Sequence, residues 1–257
     1  MWVLPFASQI NHAPSTPAHN RPFEAEVIFC VQGAISPLLA NIFLHYILDL
    51  WTHQWRRRRA RGRIVIVRYA DDFVMGFESK AGAQEMLLAL RARLASLGLM
   101  LHEDKTRLIE FGRFAALSRR RRGERRPETF AFLGFTHYCG RTRDGRFIVK
   151  HKTEGKRLTR KLTALRQEVR RFMHAPLATQ HERLAAVLRG HYGYYGRPHN
   201  YPALNGFYRE VRRTWLRCLR RRSQKSRRMG WSEFENLTAR FRLPVPRITR
   251  TWAQVPI

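Results

Sequence analysis

The sequence predicts an α+β fold: an antiparallel sheet with packed helices, followed by a helical domain. Three observations carry that reading. Two β-rich apolar runs flank adjacent aspartates over residues 64–77, the pattern of a hairpin with both carboxylates at its tip. Leu87, Leu90, Leu94 and Leu97 recur at helical spacing, which predicts a packed helix. From about Gly155 the strand-like runs give way to apolar helical stripes and denser basic residues.

Composition narrows the class. The chain has 257 residues, enough for one large domain or two small ones with a real core. Lys and Arg number 49 against 19 for Asp and Glu, a formal charge of +30. Self-repulsion on that scale opposes a compact state unless a polyanion neutralises it. With 44% hydrophobic and 12% aromatic residues, the chain is too apolar for a disordered basic tail. A folded nucleic-acid binder is therefore favoured over a membrane-surface protein. No run approaches the roughly 18 apolar residues of a membrane span, and Met1 to Phe6 lacks the basic start of a signal peptide. Cys30, Cys139 and Cys218 are isolated, so neither a disulfide framework nor a Cys-x-x-Cys zinc pair is predicted. A reducing, cytoplasmic setting fits.

Taken in order, residues 1 to about 30 scatter prolines without periodicity and read as an irregular segment. Only Phe23 to Phe29 reads as a strand. Ser36 and Pro37 suit an N-cap and first helical residue, and Leu39, Ile42, Phe43, Tyr46, Ile47 and Leu50 then form the expected buried face. The run Arg56 to Arg59 ends that helix, either as a solvated C-terminal turn or as a phosphate contact. In the hairpin that follows, Asp71 and Asp72 repel each other. Packing alone would not choose that pair, whereas a divalent cation takes hard oxygen ligands at fixed positions. The competing reading is a polar turn between core strands.

The leucine helix ends at Gly98. Short strands are expected over 99–102 and 107–111, around Glu103-Asp104-Lys105-Thr106. Arg119 to Arg122, Arg125 and Arg126 read as a basic linker, either phosphate-seeking or merely solvated. Thr129 to Gly140 is an aromatic hairpin segment, with Phe132 in the core and a bulge at Gly134. Leu158, Leu162, Leu165, Val169 and Phe172 stripe a first helix of the helical region. Thr179 with Glu182 forms a capping box that opens a second. Phe207, Val211, Trp215 and Cys218 or Leu219 stripe a third, and three such helices make a small bundle.

In this order, Ser36-Pro37-Leu38-Leu39-Ala40-Asn41, Arg68-Tyr69-Ala70-Asp71-Asp72-Phe73, Glu103-Asp104-Lys105-Thr106, Phe132-Leu133-Gly134-Phe135-Thr136-His137 and the Tyr194-Tyr195 region resemble bacterial group II intron reverse transcriptase/maturases. The resemblance runs from about Gln32 to the C-terminus and reads as an N-terminally truncated copy. It implies a partial reverse-transcriptase palm over 31–152, a helical thumb or maturase domain over 153–230 and a tail over 231–257, with residues 1–30 outside the pattern.

The activities so implied are RNA-directed DNA synthesis and assistance to intron splicing. Two Mg²⁺ ions roughly 4 Å apart would clamp the reacting oxygens, held by Asp71 and Asp72. Lys105 would protonate the leaving pyrophosphate, or be an ordinary turn lysine. Gln32, Gly33, Ser36, Pro37, Tyr69 and Ala70 would line the nucleotide and template site, and Leu133 and Gly134 the primer grip. Lys156, Arg157, Arg160, Lys161, Arg212, Arg213, Arg221 and Arg222 would hold RNA. The implied partners are group II intron RNA, an RNA template with a DNA primer, and dNTPs, with a homodimer as an assembly and no membrane. Relatives carry a further metal-binding Asp on an earlier strand, whereas residues 1–30 contain no Asp, and Glu26 is the nearest stand-in. Impaired polymerisation is therefore expected, and the alternative is a non-catalytic RNA-binding maturase remnant.

Overall fold

The computed structural model describes residues 1–6, 11–12, 36–102 and 106–250. The strand expected over 23–29, together with Glu26, Gln32, Gly33 and Lys105, lies outside the described residues. Helices and antiparallel sheets are both present, as an α+β chain requires. The chain divides into two compact units, Met1–Leu133 with His137–Val149, and Gly134–Thr136 with Lys150–Ile257.

In the first unit a four-stranded sheet is ordered β3–β4–β1–β6, from β1 (Trp2–Phe6), β3 (Ile64–Tyr69), β4 (Asp72–Phe77) and β6 (Ile109–Glu110). Strand β1 falls where the sequence suggests an irregular segment. Its apolar run is only five residues long and includes Pro5, so local periodicity is too short to declare a strand. Pairing with β4 supplies what the sequence lacks, in a register that sets Trp2 opposite Phe77 and Phe6 opposite Phe73. β6 reaches only Trp2 and Val3, so one side of the strand has no ladder at Pro5, which has no N–H to offer. A second sheet joins β2 (Asn11–His12) to β5 (Leu99–Met100).

Behind the sheet runs a continuous helix: α1 (Ser36–Leu44), a π-helical turn (His45–Leu50) and α2 (Trp51–Arg59). Here the structure corrects the expected face. Leu39, Ile42, Phe43, Tyr46 and Leu50 are exposed, and the buried stripe is Leu44, Ile47, Leu48, Thr52 and Trp55. The segment is apolar almost all round, so helical periodicity fits either stripe, and the π turn shifts the phase between them. α3 (Lys80–Ala95) buries Ala83, Met86, Leu90 and Leu94. Its N-cap Ser79 accepts from the Gly82 N–H, and the left-handed Gly98 (φ 70°) follows its end.

The expected basic linker is partly helical. α4 (Ala115–Arg121) leads into a network in which Arg119 pairs with Glu124 and Glu128, and Arg122 with Glu110 and Glu124. Four carboxylate contacts tie down arginines that a linear charge count treats as free. A three-stranded sheet of β7 (Phe130–Phe132), β8 (Phe135–Arg141) and β9 (Phe147–Thr153) follows. Phe132 is half-buried rather than core, and Leu133-Gly134 forms a tight turn rather than a bulge. Both residues have positive φ, 49° and 76°, as a two-residue hairpin turn matched to strand twist demands.

The second unit packs α5 (Gly155–Arg171), α6 (Leu177–Tyr195) and α7 (Tyr201–Arg220) around Leu165, Val169, Leu188, Phe207, Val211 and Trp215, with α8 (Trp231–Leu237) alongside. α6 begins two residues before the predicted capping box. The reason is Gln180, fully buried, whose amide donates to the carbonyls of Met173 (3.0 Å) and Ala175 (2.9 Å) and whose oxygen accepts from Trp215 Nε1 (2.8 Å). Trp215→Ala is expected to cost this unit about 3–5 kcal/mol, because it opens a cavity against Phe234 and strands the Gln180 oxygen. Chemical denaturation followed by far-UV dichroism reads this, and a loss below about 1 kcal/mol would contradict the packing described. Among the described residues no helix is long and apolar enough to cross a membrane.

Candidate active-site hairpin

The hairpin closes through a two-residue turn, Ala70-Asp71, with Tyr69 paired to Asp72. Alternation along β4 buries Phe73, Met75 and Phe77 and so sends Asp72 to the opposite face. Asp71 stands exposed at the turn, and Asp72 is half-buried at the start of β4. Both predicted carboxylates therefore reach the same tip.

Ala70 has φ 54°, a left-handed conformation that costs a residue with a Cβ roughly 1–3 kcal/mol. Arg68 holds it there. Its Nη1 donates to the Ala70 carbonyl at 2.8 Å and to Asn41 Oδ1 at 3.0 Å, while Nε and Nη2 fork onto Asp49 at 2.9 and 2.7 Å. The tip is thus anchored to the α1 helix and the π turn behind it by one bidentate guanidinium. Burial works to raise the Asp49 carboxyl, but the hydrogen bonds and charge of Arg68, helped by His45, outweigh it and hold the group below its usual range. Sequence reading missed Arg68 and Asp49 as positioning residues. An Arg before the tyrosine is visible, but its partner lies 19 residues away, with no local spacing to reveal it.

Whether the tip suits a pair of divalent ions turns on further carboxylates. The strand beside β4 is β1, and its end at the tip offers Pro5 and Phe6. Among the described residues, no group of three or more His, Cys, Asp or Glu side chains converges to hold a metal. Asp71 and Asp72 are the right chemical type, hard oxygen donors, but by themselves they fall short of a two-ion cage.

The other predicted positions spread over the chain. The backbone of Ser36 and Pro37 opens α1. In the second unit a Cβ on Gly134 would lie 2.9 Å from Tyr195 Oη and 3.4 Å from Arg157 Cδ, so close approach and backbone both require glycine there. Its carbonyl accepts from the Glu154 N–H at 2.9 Å. Phe135 stacks on Tyr194 at 5.9 Å. Tyr192 is buried, as expected of inter-helix packing, whereas Tyr194 is half exposed.

Of the predicted RNA-contacting residues, Lys156, Arg157, Arg160, Arg213 and Arg221 are exposed. Lys161 is half-buried. Its Nζ lies 3.3 Å from His191 Nδ1 and 5.5 Å from the Phe207 ring centre. Burial lowers its pKa, and burial together with the Lys161 charge pulls His191 down to about 3. The pair joins half-buried Lys161 of α5 to the buried His191 of α6. Arg212 is likewise occupied, bonded to Glu235 at 2.7 Å and lying over the Trp231 ring at 5.3 Å.

A comparison of the sequence with known families bears on what kind of domain carries this tip. Residues 21–137 match the family described as reverse transcriptase (RNA-dependent DNA polymerase). That stretch is similar to reverse transcriptase domains. It spans the long helix, the Asp71–Asp72 hairpin and the Leu133-Gly134 turn, and it covers less than half of the chain. A reverse transcriptase domain implies RNA-directed DNA polymerase chemistry, with a nucleic-acid template, a primer and deoxynucleotides as its ligands. No curated protein matches the chain.

Proposed function

We propose that the chain is a reverse transcriptase/maturase of the group II intron type, in which intron RNA binding and splicing assistance dominate and polymerisation is impaired. One observation carries the reading: within the reverse transcriptase segment the aspartate tip is intact, yet β1 brings it no carboxylate. Two carboxylates bind a divalent ion more weakly than a full cage does, so the Mg²⁺ pair of an active polymerase would be poorly held. Arg68 keeps the turn shaped and Tyr69, exposed beside it, remains available to a nucleic acid.

The domain division belongs to the same proposal, with a partial palm over 31–152 and a maturase-type thumb over 153–230. Exposed Lys156, Arg160 and Arg221 of the helical unit supply phosphate contacts, with Arg157 and Arg213, also exposed, shared with Glu154 and Glu210. Such contacts are the larger share of affinity for RNA. Shape and single-stranded elements would supply selectivity. A competition experiment tests this. Folded intron-type RNA is expected to displace labelled RNA at lower concentration than duplex DNA of equal length. Equal competition by duplex DNA would instead indicate a generic basic DNA-binding protein.

A further inference from the structure

The helical unit contains a cavity of about 460 Å³ between α5 and α7 that none of the predicted motifs explains. Its rim is formed by Arg166, Arg170, Arg217, Arg220, Arg221 and Arg227, and no acidic residue lines it. Arg166 reaches Glu210 at 3.6 Å, and Arg220 donates to the Met229 carbonyl at 2.7 Å. Arg170, Arg217, Arg221 and Arg227 form no ion pair among the described residues and are exposed.

The floor has a different character. Val169, Met173 and Cys218 are apolar or nearly so, and the Cys218 thiol is turned to the Val169 carbonyl at 3.6 Å. Thr214 adds one buried hydroxyl with no hydrogen-bond partner among the described residues. Leaving a buried hydroxyl unpaired costs about 1–3 kcal/mol, a cost that a ligand bearing a complementary group would remove. Like charges around an apolar recess are equally unfavourable until an anion enters. The volume lies within the ~300–1,000 Å³ of small-molecule pockets, roomier than a lone phosphate needs.

From this combination we infer that the cavity receives one nucleotide of a single-stranded RNA, its phosphate on the arginine rim and its base against the Val169–Met173–Cys218 floor. The inference rests on the RNA-binding reading above and adds a defined site to it. Guanidinium forks suit phosphate oxygens, and their planes accept unstacked bases. Of the rim arginines, only Arg221 falls among the RNA contacts predicted from the sequence.

The test uses the full chain and a single-stranded oligoribonucleotide carrying 4-thiouridine, with photocrosslinks mapped by mass spectrometry. Adducts are expected on the stretches 169–173 and 214–218. The double variant Arg170→Ala/Arg217→Ala should lose those adducts and reduce the slope of log affinity against log salt by about 1.4, two single-strand phosphate contacts. Its far-UV spectrum should be unchanged, since both side chains are exposed. Arg189→Ala/Arg240→Ala, with the same loss of charge away from the cavity, should keep both adducts and slope. Adducts confined to other segments, or equal loss of slope in both double variants, would overturn the nucleotide site while leaving RNA binding intact. Failure of the unaltered chain to bind the oligonucleotide would overturn both.

Discussion

Affinity for structured RNA is expected to fall by about 10³–10⁵ between 50 and 200 mM salt, the loss for six to ten phosphate contacts. The formal charge of +30 leaves a large reservoir of counterion release, but the useful part is smaller than the total. Arg119 and Arg122 are spent on Glu110, Glu124 and Glu128. Lys161 is withdrawn beside His191, and Arg212 is held by Glu235 and Trp231. What remains exposed on α5, on α7 and around the arginine-rimmed cavity is enough for the stated range. Affinity measured by fluorescence anisotropy across a salt series checks it. A nearly flat dependence would mean that phosphate contacts do not dominate, and would remove the physical basis of the RNA reading.

The parts legible in the sequence are those with strong local periodicity. The 64–77 hairpin and the buried stripe Leu165–Val169–Phe172 follow from residue spacing. So does α3, though of its expected leucine stripe only Leu90 and Leu94 are buried, Leu87 is half-buried and Leu97, past the helix end, is exposed. What sequence reading missed depends on distant partners. Strand β1 exists because β4 pairs with it, and the start of α6 reflects Gln180 reaching carbonyls of the preceding turn. The face of α1 was ambiguous because apolar residues surround that helix, and the sheet it meets decided which stripe is buried. Its opposite stripe, Leu39, Ile42, Phe43 and Tyr46, stays exposed among the described residues.

The site divides in the same way. Asp71 and Asp72 stand out in the sequence as candidate ligands because adjacent carboxylates between apolar strands have little structural use. The guanidinium that shapes their turn does not, since the Arg68–Asp49 fork joins elements 19 residues apart. Nor could linear charge counting tell a half-buried lysine from an exposed one. Lys161 sits on the same basic helix as Lys156 and Arg157, yet differs from both in being half-buried beside His191.

The proposed weakness in polymerisation rests on the tip, where the bordering strand ends in Pro5 and Phe6. Primer extension on an RNA template with Mg²⁺ and dNTPs, comparing the chain with its Asp71→Ala variant, measures that weakness directly. The predicted result is extension no greater for the unaltered chain than for Asp71→Ala, from preparations that both bind RNA. Clear extension that is lost in Asp71→Ala would contradict it, and would show that the two aspartates work within a complete metal site.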